Sequence, residues 1–135
     1  MTKFKELGVN KELCKAIEEL GFKKPTEVQK ESIPFLLTEN EDLTALAQTG
    51  TGKTAAFGLP AIQQVDVENK NVQVIILCPT RELCVQICKD LESYSKFIKG
   101  IKLLSVYGGT NIETQIKSLK KGVHIVVGTP GRTKD

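Results

Sequence analysis

Residues 47–54 read Ala-Gln-Thr-Gly-Thr-Gly-Lys-Thr, and this glycine-rich stretch constrains the fold more than any other part of the chain. It follows a short apolar run at residues 43–46 and precedes a helix-compatible run at residues 55–64. A strand, a glycine-rich loop and a helix in that order form the context of a phosphate-binding loop. The glycines let backbone N–H groups turn toward an anion, and the N-terminus of the next helix adds partial positive charge.

Two side chains at the end of this stretch complete the predicted site. Lys53 supplies a mobile cation for the outer phosphates, and the Thr54 hydroxyl is a candidate Mg²⁺ ligand. The alternative is a glycine-rich turn before an ordinary helix. Ala47 departs from the general pattern, which has Gly at the first position. Both glycines, the Lys and the Thr nevertheless coincide with suitable flanking segments, which favours the phosphate-binding loop.

Apolar runs alternate with helical patterns along the rest of the chain. Strands are predicted at residues 43–46, 72–78, 101–106 and 123–127, with helices between them. This alternation predicts an α/β fold with a parallel sheet and right-handed crossovers. Ligands of such sheets bind beyond the carboxyl ends of the strands. Residues 47–54, 79–82, 107–110 and 129–132 follow those ends, so we expect them to share one sheet edge.

Helix boundaries can be predicted from capping residues. Asn10 predicts the start of a helix that runs to Leu20, and Thr26 with Gln29 forms a capping box for a second helix. Pro34 lies inside that second helix and is expected to kink or end it. Ile112, Ile116 and Leu119 predict the buried stripe of a later helix, which a second capping box at residues 110–113 would start.

The composition is that of an ordinary globular domain with 135 residues, 40% hydrophobic and 26% charged, and a net charge of +3. This charge permits contact with a polyanion without demanding it. No apolar run approaches membrane-spanning length and no secretory h-region is present, so we expect a cytoplasmic location. The cysteines form no Cys-x-x-Cys pair, which makes a zinc site unlikely, and Cys84 and Cys88 are expected to be small core residues.

Five motifs in order carry a resemblance to a known family. They are Gly-Phe-x-x-Pro-Thr-x-x-Gln (the Q motif), the glycine-rich loop, Pro-Thr-Arg-Glu-Leu, Gly-Gly and Thr-Pro-Gly-Arg. In this order they resemble the first half of a DEAD-box ATP-dependent RNA helicase, whose phosphate loop begins with Ala. The resemblance implies a P-loop NTPase fold, the first RecA-like domain, truncated before the strand of the Asp-Glu-Ala-Asp motif. Residues 1–38 would be the Q-motif region and residues 39–135 a partial RecA-like ATP-binding domain.

The resemblance implies that Gln29 reads adenine and that Phe4, which lies upstream of the Q motif, stacks on the base. A carboxamide can pair with the N6 and N7 edge of adenine, although Gln29 can also serve only the capping box. Phe4 taken alone would be a packing aromatic. Mg²⁺ and ATP are the implied cofactors, with Lys53 and Thr54 assigned to catalysis and Thr54 to the metal. The full set of ATP-contacting residues would be Phe4, Phe22, Thr26, Gln29, Ala47, Gln48, Thr49, Gly50, Thr51, Gly52, Lys53 and Thr54.

The remaining three motifs are candidate RNA contacts. Each offers hydroxyls, free backbone N–H groups or a cation, which suit backbone phosphates and predict sequence-independent binding. An ordinary helix cap with Arg81 in a salt bridge is an equal alternative at residues 79–82, and a tight turn is one at the Gly-Gly pair. The resemblance implies RNA contacts at Pro79, Thr80, Arg81, Gly108, Gly109, Thr129, Pro130, Gly131 and Arg132.

Hydrolysis needs carboxylates that hold Mg²⁺ and position water, and no predicted strand ends in Asp or Glu. The Asp-Glu-Ala-Asp and Ser-Ala-Thr motifs and the second RecA-like domain are absent from these residues. We therefore expect the chain alone to bind nucleotide weakly, to hydrolyse none, and to self-associate through open sheet edges. Two alternatives are a non-catalytic nucleotide or RNA scaffold and a DNA-directed helicase or other P-loop ATPase. The Q motif argues against the latter.

Overall fold

The computed structural model describes residues 3–39, 41–45, 52–107 and 112–130. Within these residues a short 3-10 helix (Phe4–Leu7) precedes the first α-helix. The helices and strands follow in the order α1 (Lys11–Glu19), α2 (Glu27–Thr38), α3 (Lys53–Gln63), β1 (Val74–Leu77), α4 (Arg81–Tyr94), β2 (Leu103–Val106), α5 (Ile112–Lys121) and β3 (Ile125–Gly128). The strands predicted at residues 72–78, 101–106 and 123–127 are confirmed.

The chain packs as two units. The first comprises Met1–Gln64 and Ser93–Ile98, and the second comprises Val65–Glu92 and Lys99–Asp135. The first unit is helical and holds the end of the glycine-rich stretch, whereas the second holds the sheet. The division predicted between residues 38 and 39 stays a prediction.

Two predicted helix starts in the first unit are confirmed. The Asn10 side chain accepts a hydrogen bond from the Leu13 N–H at 3.0 Å, which caps α1. Thr26 and Gln29 form both halves of the capping box that starts α2. Each cap satisfies backbone donors that have no partner inside the helix. Behind the caps lies the apolar core of this unit, which includes Leu13, Ile17, Ile33, Leu59 and Ile62, each at most 2% exposed.

Pro34 does not end α2, and the kink that was the other predicted outcome stays a prediction. The helix continues from Pro34 to Thr38. Proline has no N–H and therefore cannot bond to the carbonyl four residues earlier. The turn beyond it is held by other bonds, since Thr38 Oγ1 donates to the Pro34 carbonyl at 2.7 Å and the Glu39 N–H donates to the Phe35 carbonyl at 2.8 Å.

The strand predicted at residues 43–46 is not seen. Residues 43–45 are described and form no strand, and position 46 lies outside the described residues. Leu43 is 40% exposed, and residues 44 and 45 are exposed as well. An apolar run becomes a strand only when a neighbouring backbone pairs with it, and this run has little β-branched content to favour one. The prediction was wrong because it inferred a strand from three apolar positions.

The second unit contains a parallel sheet in the order β1-β3-β2. The register pairs Leu77 with Gly128 and Val106 with Gly128, so the three strands end level with one another. The central strand β3 is buried along its whole length, as expected for a parallel strand covered on both faces. This arrangement confirms the predicted parallel α/β sheet and aligns the carboxyl ends of all three strands.

Most of the apolar residues of helix α4 are buried. Cys84, Ile87, Cys88 and Leu91 are buried, which confirms that the two cysteines are core residues, but Leu83 is 41% exposed. Burial, assisted by a hydrogen bond with Cys78, raises the pKa of Cys84 to about 11. A buried thiol with a raised pKa is chemically inert, which agrees with a packing role.

The stripe predicted for α5 is not buried. Ile112, Ile116 and Leu119 are 37%, 44% and 37% exposed, whereas Gln115 is the buried residue of this helix. Gln115 Nε2 donates to the Tyr107 carbonyl at 3.5 Å, so this side of the helix faces the protein. Apolar spacing identifies the hydrophobic side of a helix but does not guarantee that another element covers it. The capping box predicted at Thr110 lies outside the described residues.

His124 is a buried polar residue that ties the sheet to its connections. Its Nδ1 accepts from the Lys102 N–H at 3.0 Å, and its Nε2 lies 3.0 Å from the Val67 carbonyl. The ring accepts at Nδ1 and donates at Nε2, because an N–H can only donate and a carbonyl can only accept. This histidine fixes the position of the residue 67 connection beside the start of β2.

Candidate nucleotide and nucleic-acid sites

Gln29 is the most constrained polar side chain of the first unit. It is 2% exposed, and its carboxamide is bonded at both ends. Its Oε1 accepts from the Thr26 N–H at 2.9 Å, while its Nε2 donates to the Gly52 carbonyl at 3.1 Å. The first bond is local and belongs to the capping box. The second bond joins α2 to Gly52, the last glycine of the glycine-rich stretch, 23 positions further along the chain.

Gly52 has a backbone that only glycine adopts easily. Its φ is +87°, in the left-handed region, and it is the N-cap of α3. A Cβ at this position would collide with Gln29 Nε2 and would also press on Thr26 Oγ1. Two constraints therefore require glycine at position 52, namely the positive φ angle and the close approach of the Gln29 side chain. The capping residues of α2 thereby fix the start of α3.

Lys53 and Thr54 occupy the first turn of α3. Lys53 is exposed and Thr54 is half-buried. Among the described residues, Lys53 forms no ion pair. The first N–H groups of a helix have no intrahelical partner, and the helix dipole adds positive potential at the same end. This end of α3 therefore has the donors and the charge that a phosphate group requires.

The two aromatic residues assigned to ATP pack against each other. Phe4 is 6% exposed and its ring centroid lies 6.2 Å from that of Phe22, which in turn contacts Tyr94 edge-on at 6.1 Å. Phe4 therefore contributes to the core whatever else it does. Ala47, Gln48, Thr49, Gly50 and Thr51 lie outside the described residues.

In the second unit, the described candidate RNA residues follow the level ends of the strands. Pro79 and Thr80 follow β1 and are exposed, and Arg81 begins α4. Thr80 Oγ1 accepts from the Leu83 N–H at 3.2 Å, so Thr80 caps α4. The Arg81 guanidinium lies over the Tyr107 ring, 4.9 Å from its centroid. The ring orients the guanidinium by a cation–π contact and leaves its donors able to bind a ligand.

Further candidate RNA residues lie at the same sheet edge, directly after β3. The Thr129 N–H donates to the Val106 carbonyl at 3.0 Å, which continues the pairing with β2 by one residue, and Pro130 is exposed. Thr80, Arg81, Tyr107, Thr129 and Pro130 thus follow the aligned carboxyl ends of three parallel strands. Gly108, Gly109, Gly131 and Arg132 lie outside the described residues.

Two features of these sites were missed from the sequence. The Gly52 carbonyl was not recognised as a partner of Gln29, because no local signal connects residues 23 positions apart. Tyr107 was not assigned as the residue that orients Arg81. Its position directly after a strand and before the Gly-Gly pair was the available signal.

The parallel sheet with helices between its strands defines an α/β protein. A model of the DEAD/DEAH box helicase family matches residues 26–135. The chain therefore belongs to the DEAD/DEAH box helicase family.

Curated relatives and solved structures agree with this assignment. The chain is 48% identical over 135 residues to the DEAD-box ATP-dependent RNA helicase CshA of Geobacillus kaustophilus, and 50% identical over 135 residues to the ATP-dependent RNA helicase CshA of Listeria monocytogenes. Each alignment covers 100% of this chain but only 28% and 26% of the respective relative. The chain thus spans little more than a quarter of these relatives.

Solved structures show the same fold. A DEAD box protein from the hyperthermophile Methanococcus jannaschii superposes with a TM-score of 0.92 at 44% identity, over 98% of this chain and 36% of that one. Dbp5 of S. cerevisiae bound to RNA and ADP BeF3 superposes with a TM-score of 0.86 at 33% identity, over 98% of this chain and 33% of that one. These matches confirm the predicted RecA-like helicase fold.

Among the residues that the structure describes, no helix is long and apolar enough to cross a membrane. The same residues contain no cluster of three or more His, Cys, Asp or Glu side chains that could hold a metal ion.

Proposed function

We propose that the chain is the ATP-holding and RNA-contacting part of an ATP-dependent RNA helicase. The observation that carries this proposal is the bond from Gln29 Nε2 to the Gly52 carbonyl. It links the Q motif to the phosphate-binding end of α3, so that one buried carboxamide determines the geometry of both. This function is supported by the CshA relatives, which are named ATP-dependent RNA helicases, and by the RNA bound to Dbp5.

Gln29 keeps part of its hydrogen-bonding capacity for a base. A carboxamide has two N–H donors and two acceptor positions, and the bonds to Thr26 and Gly52 use one of each. The remaining donor and acceptor match the N6 and N7 edge of adenine. Phe4 stacks on the base in this proposal, and its contact with Phe22 holds the ring in place.

The residues around the start of α3 fit a nucleotide phosphate with Mg²⁺. Gly52 provides the close backbone approach, Lys53 an exposed cation and Thr54 a hydroxyl on the first turn. A bound Mg²⁺ would neutralise charge on the phosphate oxygens. Lys53 would hold the outer phosphates, and Thr54 would present its oxygen to the metal.

RNA would lie along the carboxyl edge of the sheet. Thr80 and Arg81 supply a hydroxyl and a guanidinium, and the contact with Tyr107 keeps the guanidinium from folding away. Thr129 and Pro130 follow the central strand, and Gly108, Gly109, Gly131 and Arg132 complete the proposed set. Contacts of this kind bind the phosphate backbone, so the chain would not select a base sequence.

We further propose that the chain alone does not hydrolyse ATP. The described strands β1, β2 and β3 are followed by Cys78, Tyr107 and Thr129, none of which is a carboxylate. Catalytic carboxylates and a second RecA-like domain would have to come from elsewhere in a longer protein acting in the cytoplasm. The outer strands β1 and β2 each have one unpaired edge in the described sheet, through which the chain would self-associate.

The proposal is tested by nucleotide selectivity. In Gln29→Ala the ATP affinity should fall and the preference for ATP over GTP should disappear, because a base-reading pair contributes about 1–3 kcal/mol of discrimination. Fluorescent analogues of ATP and GTP, titrated into the whole chain, measure both affinities. Gln63→Ala is a matched control, since Gln63 also bonds at both ends, to Asn10 and Gly8. If Gln29→Ala kept its preference for ATP over GTP, Gln29 would have only a structural role.

Hydrolysis is tested separately, by phosphate release from ATP with RNA present. The chain should release none above the background without protein. Sustained release that disappears in Lys53→Ala would overturn the second part of the proposal while leaving the nucleotide site intact.

A further inference from the structure

Gln63, the last residue of α3, holds a distant part of the main chain with both ends of its carboxamide. Its Oε1 accepts from the Asn10 N–H at 2.8 Å, and its Nε2 donates to the Gly8 carbonyl at 2.8 Å. These partners lie 53 and 55 positions earlier in the chain. The C-terminal end of α3 therefore fixes the main chain on both sides of residue 9.

The main chain that Gln63 holds leads directly to Phe4. Val9 lies between the two partners of Gln63, is 4% exposed, and donates its N–H to the Phe4 carbonyl at 3.3 Å. Gly8 ends the 3-10 helix that begins at Phe4, and its φ of +100° is a left-handed conformation that favours glycine. A displacement of residues 8–10 would therefore move the Phe4 backbone and its ring.

The same two bonds fix the start of α1. Asn10 caps this helix, and just beyond its other end the Phe22 N–H donates to the Ile17 carbonyl at 3.0 Å. The Phe22 ring packs on Phe4, with the centroids 6.2 Å apart. Both rings, together with Val9, line a cavity of about 970 Å³. The bonds of Gln63 therefore position Phe4 and also the ring that supports it.

Helix α3 connects this anchor to the proposed phosphate site. Its first residue is Lys53 and its last is Gln63, so the two lie about 15 Å apart along the helix axis. Gln29 bonds to the N-cap of α3, and Gln63 bonds residues 8–10 to its other end. The length of one helix thus sets the distance between the phosphate-binding end and the segment that carries Phe4.

We propose that Gln63 is a positioning residue of the nucleotide site, which holds Phe4 against the base without touching the nucleotide. This inference rests on the proposed function, in which Phe4 stacks on adenine. Every base has a face on which an aromatic ring can stack, so the support from Gln63 is the same for ATP and GTP. Gln29, by contrast, reads the edge of the base. For this reason Gln63→Ala keeps the preference for ATP that Gln29→Ala loses.

The test compares the affinities of the whole chain for ATP, GTP and inorganic tripolyphosphate, each with Mg²⁺, by titration calorimetry. Gln63→Ala should weaken the binding of ATP and GTP by the same factor, about fivefold, which is the lower range for one base-stacking contact. The affinity for tripolyphosphate should stay unchanged, because this ligand has no base and probes the phosphate-binding end alone.

Gln64→Ala is the matched control. Gln64 also ties the end of α3 to a distant carbonyl, since its Nε2 donates to the Leu36 carbonyl at 2.7 Å, but that partner belongs to α2. Its loss should change all three affinities by less than about twofold. Phe4→Leu keeps an apolar side chain and removes the ring. Adding Gln63→Ala to Phe4→Leu should weaken ATP binding little further, because both substitutions act on one contact.

Cys14 reports on the anchored segment in the absence of a ligand. It is half-buried and donates its S–H to the Val9 carbonyl at 3.5 Å, whereas the other three cysteines of the chain are buried. Iodoacetamide should therefore modify Cys14 faster in Gln63→Ala than in Gln64→Ala or the unsubstituted chain. Equal rates in all three would show that residues 8–10 keep their position without Gln63, and would overturn the proposal.

The binding results separate this inference from the proposed function. Unchanged ATP affinity in Gln63→Ala, combined with a loss in Lys53→Ala, would leave the phosphate site intact and remove the role of Gln63. Equal losses of ATP and tripolyphosphate affinity in Gln63→Ala would make Gln63 a structural support of α3 only. If the unsubstituted chain bound tripolyphosphate as tightly as ATP, the base would contribute nothing, and the stacking role of Phe4 would be wrong together with this inference.

Discussion

Helices α2 and α5 have similar sequence patterns, and the structure treats them differently. Both were predicted to begin at a capping box. In α2 the box is formed, Ile33 is fully buried, and Gln29 bonds to Gly52. In α5 the apolar residues Ile112, Ile116 and Leu119 are exposed, and the polar residue Gln115 faces the protein. A helix cap can be predicted from a few neighbouring residues. The burial of an apolar stripe depends on other helices and strands, which the sequence pattern of the helix itself does not specify.

Matched isoleucine truncations give the largest expected contrast between the two helices. Ile33→Ala should reduce the free energy of unfolding by about 2–5 kcal/mol, because it leaves a cavity in a fully buried site. Ile116→Ala should change it by less than about 0.5 kcal/mol, because its side chain is 44% exposed. Urea denaturation followed by circular dichroism measures both. Similar losses in the two variants would show that α5 is buried in solution.

Removal of the α2 cap should have an intermediate effect. Thr26→Ala deletes the hydroxyl that accepts from the Gln29 N–H, and the expected loss is about 1 kcal/mol. Thr114→Ala makes the same change on the exposed surface of α5, where alanine slightly favours the helix. If the two variants unfold at the same urea concentration, the capping box contributes nothing to stability.

Replacement of the whole α5 stripe should affect association more than stability. Replacing Ile112, Ile116 and Leu119 together by glutamine should leave the unfolding free energy within about 1 kcal/mol, since each substitution is at an exposed site. The same variant should remain monomeric at higher protein concentration in sedimentation experiments, because it removes an exposed apolar patch. A loss of several kcal/mol, on the order of a core substitution, would restore the prediction of a buried stripe.

The same contrast explains what the sequence could predict. The capped starts of α1 and α2 and the apolar strands were predictable, because each depends on residues within one turn or one strand. The bond between Gln29 and Gly52 was not, because it joins segments whose approach only the folded chain reveals. The strand predicted at residues 43–46 was wrong for a related reason, since apolar residues form a strand only when a neighbouring strand pairs with them.

The candidate site residues likewise fall into those that a local sequence pattern predicted and those whose contacts only the fold revealed. The roles proposed for Lys53 and Thr54 come from a local pattern, and the structure puts both residues on the first turn of α3. The orientation of Arg81 by Tyr107 involves two segments 26 positions apart and required the fold. The strand register then aligned these segments with Thr129 at one edge of the sheet.

The central claim is that the start of α3 holds the phosphates of ATP, and a titration with ATP and Mg²⁺ followed by backbone amide NMR tests it most directly. The amides of Gly52, Lys53 and Thr54 should shift in a saturable manner in the whole chain. In Lys53→Ala the affinity should fall at least about tenfold, because a charge-assisted bond contributes about 1.5–3 kcal/mol. Shifts confined to other parts of the chain, or equal affinity in Lys53→Ala, would contradict the claim.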